Sequence, residues 1–377
     1  MSLRHAITLT FCLIASPVCR SQQPAPPTPP DQTRHRAQLG VEALQQWYVP
    51  STGLYRTTGW WNSANIITTI TGFMRFSGSR QYVAILANTY VKAQIAVPKP
   101  QQVGPWEKMT GFPGFLNTYY DDEGWWALAW IDAYDLTRDK RYLATAQSIF
   151  DDMAGGWDNT CGGGIWWSKD RTYKNAIANE LFFSVAAHLA TRVPANRREY
   201  ADWAAKEWQW FASSGMLNER RLVNDGLTID QTSGACRNNQ KTVWTYNQGV
   251  LIGALAEWSR SDQTSTPLEQ ARLLAAASLT YLTDKDGILH DTCEPACGAD
   301  GVQFKGIFMR NLRALEDLAP DPRYRTLFAR NADSIWNKDQ APEIQFGIVW
   351  SGPPLSLGAG AQGSALDALL AAMAQSQ

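Results

Sequence analysis

The sequence predicts an all-α chain folded as an (α/α)6 barrel: about twelve helices in six hairpins, with long loops gathered at one end. Three observations lead there. From Gln32 onward, helix-period segments alternate with loops rich in Gly, Trp, Asn and Asp. A basic residue beside a Tyr recurs at helix starts: Arg80-Gln81-Tyr82, Lys140-Arg141-Tyr142, Arg198-Glu199-Tyr200 and Arg323-Tyr324. The first three are about 60 residues apart, the size of two helices with their loops. Short polar turns also alternate with long loops, as they must when an inner and an outer ring are joined tightly at one end only.

In chain order the helical segments pair as 32–47 with 63–77, 79–96 with 121–136, 139–154 with 175–192, 196–214 with 246–260, 265–283 with 306–319, and 321–337 with 361–375. The tight turns include Ser77-Gly78-Ser79, Thr137-Arg138-Asp139 and Pro320-Asp321-Pro322. The long loops are 97–120, 155–174, 215–245, 284–305 and 338–360, and they carry Trp106, Trp157, Trp166, Trp167 and Trp244. Loops beyond about 12–15 residues in a compact domain are usually functional, so the site is expected at their end. Trp130, Trp203, Trp208 and Trp336 fall inside helices and are read as core.

Apolar residues make up 45% of the 377 and charged residues 18%, which marks a globular chain rather than a disordered or membrane-spanning one. Seventeen Trp is more than a core needs and suggests flat surfaces for stacking sugars or bases. The balance of 34 basic against 35 acidic residues leaves nothing to neutralise a phosphate backbone. Nucleic acid is therefore set aside in favour of a neutral polyol.

Met1 to Ser21 has the layout of a secretory signal, with Arg4 and His5 ahead of the apolar run Ala6 to Ala15. Residues 22–31 read as a Pro-rich linker and 32–377 as a single catalytic domain. The mature protein is expected to be secreted, monomeric and free of membrane segments once the signal is removed. Removal of Cys12 and Cys19 leaves Cys161, Cys236, Cys293 and Cys297, an even number that suggests two disulfides. Four cysteines allow three connectivities; the favoured one is Cys161–Cys236 with Cys293–Cys297.

The densest constellation is Asn117-Thr118-Tyr119-Tyr120-Asp121-Asp122-Glu123-Gly124-Trp125-Trp126, at the entrance of one helix. Acids there complement the helix dipole and satisfy orphan amides. Solvated caps, however, do not need four large aromatics around them. Glycosidic cleavage needs one carboxyl to protonate the leaving oxygen and another to attack the anomeric carbon or activate water. The adjacent Asp121 and Asp122 keep their carboxyls within several ångströms, which suits the roughly 5–5.5 Å of a retaining enzyme. Their repulsion raises one pKa, so one group can be acid while the other stays ionised.

The run Tyr119 to Trp130 resembles the signature of glycoside hydrolase family 76, and the likeness continues in order through Cys161-Gly162-Gly163-Gly164-Ile165-Trp166-Trp167, Tyr173 to Leu181, Trp244 to Gly249 and Phe304 to Arg310. That family consists of endo-α-1,6-mannanases with an (α/α)6 barrel and a retaining mechanism. The resemblance implies an α-mannan substrate, with Asp121 as nucleophile and Asp122 as general acid/base. It also places Asp225, in Val223-Asn224-Asp225-Gly226, near the reacting sugar. Trp61, Asn65, Trp125, Trp126, Lys174, Asn175, Tyr246, Asn247, Gln248 and Lys305 are expected to supply stacking faces and donors around a mannosyl chain, although packing or capping explains each singly as well.

A fungal branch of the family, acting at the cell wall, would use the same acids to transfer mannan-bearing lipid anchors to glucan. A non-catalytic carbohydrate-binding protein has no use for an intact acid pair. A sugar epimerase would need more histidines than His35, His188 and His290. No cofactor and no metal are expected, since Cys293-x-x-x-Cys297 has no matching ligand pair. A Gly-x-Ser-x-Gly elbow is absent too.

Overall fold

Among the described residues twelve long helices form in the order expected: α1 Pro30–Leu44, α2 Trp60–Ser77, α3 Val83–Lys92, α4 Tyr120–Thr137, α5 Lys140–Ala154, α6 Ala176–Arg192, α7 Arg197–Ser213, α8 Thr245–Trp258, α9 Thr266–Tyr281, α10 Phe304–Leu318, α11 Pro322–Lys338 and α12 Ala359–Met373. The computed structural model describes residues 30–102, 108–230, 232–262 and 264–373. The signal segment 1–21, Trp106 and most of the linker lie outside the described residues, while Pro30 and Asp31 already belong to α1.

Sequence decides which helices go inside. Nearly every residue of α6, α8 and α12 is buried, and these segments are apolar all round, as an inner helix must be. In contrast α5 buries only Tyr142, Ala146, Ile149, Phe150 and Met153, the single stripe of an outer helix. The inner helices touch in the cycle α2–α4–α6–α8–α10–α12 and back to α2, so the ring is closed. Two glycines permit the tightest crossings. A Cβ on Gly249 of α8 would meet the Phe308 Cα of α10 at 2.5 Å, and one on Gly306 of α10 would meet the Ser364 Cα of α12 at 2.5 Å.

The recurring basic-Tyr motif is an outer-helix start. Asp139 and Asp321 accept the amides of Arg141 and Arg323 as caps, and each is gripped again by that arginine's side chain at 2.6 Å. Tyr82, Tyr142, Tyr200 and Tyr324 anchor those starts in the core. The helix α3 is shorter than the 79–96 expected because Ser79 is used to cap a turn, taking the Gln81 amide at 3.2 Å. Trp130 lies in the core as expected, and Trp203, Trp208 and Trp336 pack half-buried against it.

Each long loop leads from an outer helix to the next inner one, so all inner-helix N-termini sit at the loop end. The two disulfides, Cys161–Cys236 and Cys293–Cys297, form there. At the opposite end ion pairs lace the inner helices together, with Arg192 gripping Asp135 at 2.7 Å and Glu257 at 2.6 Å. Burial works against ionisation of Glu257, but His188 and Arg192 outweigh it and bring that carboxyl down to about 2. Among the described residues no helix is long and apolar enough to cross a membrane.

Candidate active site

The first turn of α4 separates the three acids that share it. Glu123 is fully buried and pairs with Lys169 at 2.8 Å, while Lys169 also holds Asp152 at 2.8 Å. Burial lifts Glu123 to about 8 in spite of Lys169. Its Oε1 accepts the Asn117 amide at 2.8 Å, which fixes the approach to the helix. Glu123 is therefore the anchor of the turn. Asp121 and Asp122, half-buried, are left facing the loop end.

Each of the two has its own donor. The Asp121 Oδ2 accepts from the Trp167 indole at 2.9 Å and its Oδ1 from the Asp122 amide at 3.1 Å. The Asp122 Oδ2 accepts from the Asn117 side-chain amide at 2.6 Å. Burial raises Asp121 to about 7, against those hydrogen bonds and helped by the charge of Asp300.

Four aromatic rings run beside the acids across α2, α4, α8 and α10. Trp61 stacks on Trp125 at 5.7 Å, Trp125 on Tyr246 at 6.4 Å, and Tyr246 on Phe304 at 3.8 Å. The Trp61 indole donates to Asp300 at 3.1 Å. Burial, then the charges of Asp225 and Asp121, hold the Tyr246 phenol well above its usual range, so this ring lies within the field of both acids. Asp225 accepts from the Tyr173 hydroxyl, which in turn accepts from Asn239 at 2.8 Å.

Several residues expected around the sugar are placed elsewhere. Trp126 has no exposed surface and packs against Trp60, Phe115 and Trp130, so it offers no face to a ligand. Lys174 is fully buried, its ammonium donating to Asp158 and to the carbonyls of Thr160, Gly163 and Gly164. Lys305 is equally enclosed, held by Glu294 and the Ile348 carbonyl, each at 2.6 Å. Gln248 ties together the backbone of Val223 and Trp244. Asn175 caps α6 through the Ala178 amide. Asn65 accepts from Arg310 deep in the barrel. Asn247 is fully buried and neither atom of its amide has a hydrogen-bond partner. Trp167, Asn117 and Tyr173 touch the acids without having been singled out. They come from flanking loops, and although each falls in a loop or motif noted in the sequence, nothing local there marks its contact with an acid.

The buried carboxyls as a set make a testable pH dependence. Burial raises Asp339 to about 8, and Asp291 and Asp367 to about 6, alongside Asp121 and Glu123. A carboxyl raised on folding contributes stability that is present below its unfolded value and lost as pH rises through its folded one. The Tm is expected to fall by roughly 5 °C between pH 5 and pH 8. Thermal melts across that range that show a rising Tm would contradict the burial of these groups in the native state.

Comparison with known proteins bears on the family and the fold. The sequence model of a family described as Glycosyl hydrolase family 76 matches residues 35–377. Mannan endo-1,6-alpha-mannosidase DCW1 of Saccharomyces cerevisiae is 30% identical over 232 residues, covering 57% of this chain and 50% of the relative. DFG5 of Candida albicans, of the same description, is 30% identical over 221 residues, covering 54% and 48%. The chain thus spans about half the length of the curated relatives it matches. Among solved structures, the GH76A α-1,6-mannanase of a Salegentibacter species superposes with a TM-score of 0.77 at 23% identity, over 90% of this chain and 98% of that one. An inactive variant of that enzyme, with two consecutive aspartates replaced, is in complex with α-1,6-mannotetrose. Dfg5 of Chaetomium thermophilum, in complex with glucosamine, superposes with a TM-score of 0.77 at 20% identity, over 94% and 93% of the two chains.

Proposed function

Because the chain belongs to glycosyl hydrolase family 76, we propose that it is a secreted, retaining endo-α-1,6-mannosidase that acts on α-mannan through Asp121 and Asp122. The observation that carries the reading is the pair of adjacent carboxyls at the loop end, each with its own donor. The inactive Salegentibacter variant is likewise altered at two consecutive aspartates, which supports a reading that rests on an adjacent pair. Two disulfides fit export to an oxidising compartment.

The order of the two roles is the one that the family resemblance implies, and the adjacency of the acids suits a double displacement. In the first step a carboxylate oxygen of Asp121 bonds to the anomeric carbon as the glycosidic oxygen departs with a proton from Asp122. In the second, Asp122 takes a proton from water, whose oxygen attacks the same carbon and releases Asp121. Two inversions restore the α configuration. Asp225 and the Trp61–Trp125–Tyr246 wall are the groups we assign to holding the sugar. Trp126, Lys174, Lys305 and Gln248 are left out of that assignment because their polar atoms or faces are already engaged.

Two measurements test this. Linear α-1,6-mannan should be cleaved, and proton NMR before mutarotation should show the α anomer in the first product. A β product would require inversion and end the assignment. Asp122→Asn should lose turnover on mannan by roughly a hundred- to ten-thousandfold, yet keep most of its glycosylation rate on an aryl mannoside, whose leaving group needs no proton. Equal losses on both substrates would reverse or remove the roles given to the two acids.

A further inference from the structure

Trp167 lies 46 positions from Asp121 in sequence, yet its indole N–H reaches the Asp121 Oδ2 at 2.9 Å. Its backbone is pinned on both sides. The Trp167 amide donates to the Tyr173 carbonyl at 2.7 Å, and the Trp167 carbonyl accepts the Tyr120 amide, the first of α4, at 3.0 Å. The next residues keep the loop in register, with Tyr119 bridged to Ser168 and the Lys169 amide bonded to the Thr118 carbonyl at 2.9 Å. Lys169 then closes on Glu123. The loop and the helix start are therefore one rigid body, and the indole is aimed by it.

Trp167 is 36% exposed. It meets Tyr119 at 5.0 Å and stands edge-on to Tyr173 at 6.3 Å, whose hydroxyl reaches Asp225. One indole thus touches the Asp121 carboxylate and the ring that holds Asp225, and leaves part of its surface open to solvent.

Resting on the reading of Asp121 as nucleophile, we propose that Trp167 is its positioning residue: the N–H fixes the plane of the carboxylate for attack, and the exposed face of the same ring receives a sugar unit of the chain being cut. An indole suits this task for a chemical reason. It is a donor only, so it accepts no proton from the acid and cannot turn an acceptor toward it. It is also neutral, so once Asp121 is ionised the indole leaves the carboxylate the charge it needs as a nucleophile, which an arginine partner would neutralise. With Oδ2 held by the indole and Oδ1 by the Asp122 amide, rotation about the carboxyl bond is stopped from both ends.

The test separates the N–H from the ring. Replacing Trp167 by benzothienylalanine keeps the shape and stacking face and removes only the donor; Trp167→Phe is the genetically simple counterpart. On linear α-1,6-mannan both are expected to lose about ten- to a hundredfold in kcat with KM within about threefold, whereas Trp167→Ala should raise KM as well. Unchanged kcat in the benzothienylalanine protein would overturn the positioning role, and an unchanged KM in Trp167→Ala would overturn the sugar-receiving face. A second readout needs no activity. Carboxyl-carbon NMR of Asp121 should show its titration midpoint moving upward in the benzothienylalanine protein, because a donor to the charged form is lost. A midpoint equal to the parent's would refute the proposal even if the parent cleaved a different glycan. Absence of mannan cleavage by the parent, with the midpoint shifted, would instead refute only the substrate.

Discussion

Asp121→Asn is expected to lower turnover of linear α-1,6-mannan by at least ~1,000-fold, about 4 kcal/mol in transition-state stabilisation. An amide oxygen keeps the size of the carboxylate and can still accept from Trp167, so the ground state should bind substrate nearly as before. What disappears is the charge that bonds to the anomeric carbon. The same substitution should raise the Tm at pH 8, because burial holds Asp121 up to about 7 and the native protein must otherwise carry a disfavoured charge there. At pH 4.5, where the native carboxyl is already protonated, the Tm should barely change. Kinetics and paired melts at the two pH values check both halves. Loss of activity with loss of stability at both pH values would mean that Asp121 supports the fold rather than the chemistry, and would move the nucleophile to Asp122 or Asp225.

The crowding of acids and aromatics at the head of α4 was legible in the sequence, whereas the separation of Glu123 from Asp121 and Asp122 was not. An acid with an obvious structural task does not need aromatic neighbours, and Asp121 and Asp122 have four within a few residues. The barrel was legible for a similar reason: a helix that is apolar all round, such as α8, has nowhere to go but the inner ring. The basic-Tyr repeat pointed to a period, and the capping aspartates of α5 and α11 supply its physical cause.

The errors have a common origin as well. Trp126 shares a motif with Trp125, but one residue along a helix is a turn of about 100°, enough to carry the ring from the cleft wall into the core beside Phe115. Lys174 and Lys305 sit in loop-end segments where a lysine is ordinarily solvated. What encloses them is the carbonyls and acids of chain folded around each ammonium, and no local pattern announces that. Trp167 was visible as one loop aromatic among several. Its bond to Asp121 depends on two segments docking edge to edge, which only the fold reveals.

The largest effect on stability is expected from Lys174→Met. The ammonium is fully buried and donates to Asp158 at 2.9 Å and to the carbonyls of Thr160, Gly163 and Gly164 at 2.8, 2.7 and 2.9 Å. It also lies 4.8 Å from the ring centre of Trp166. The loop 158–164 is thus wrapped around a single point charge, and Cys161 ties it to Cys236. Burial draws the Lys174 ammonium down, yet it remains the partner that, with the Trp166 indole, overcomes burial at Asp158 and brings that carboxyl down to about 2. Methionine fills the same volume and satisfies none of these acceptors. Removing one partner of a buried pair typically costs about 3–5 kcal/mol, a drop of roughly 4–7 °C in Tm for a chain of this size. Arginine should not rescue the site, because a planar fork cannot point donors at four acceptors gathered around one nitrogen. Turnover should fall too, since Trp167 follows this loop directly and aims at Asp121. Thermal melts of Lys174→Met beside its mannan kinetics decide between strut and ligand. A Tm within about 2 °C of the parent together with a raised KM would mean that Lys174 reaches the sugar after all, and that the loop closes around something other than its charge.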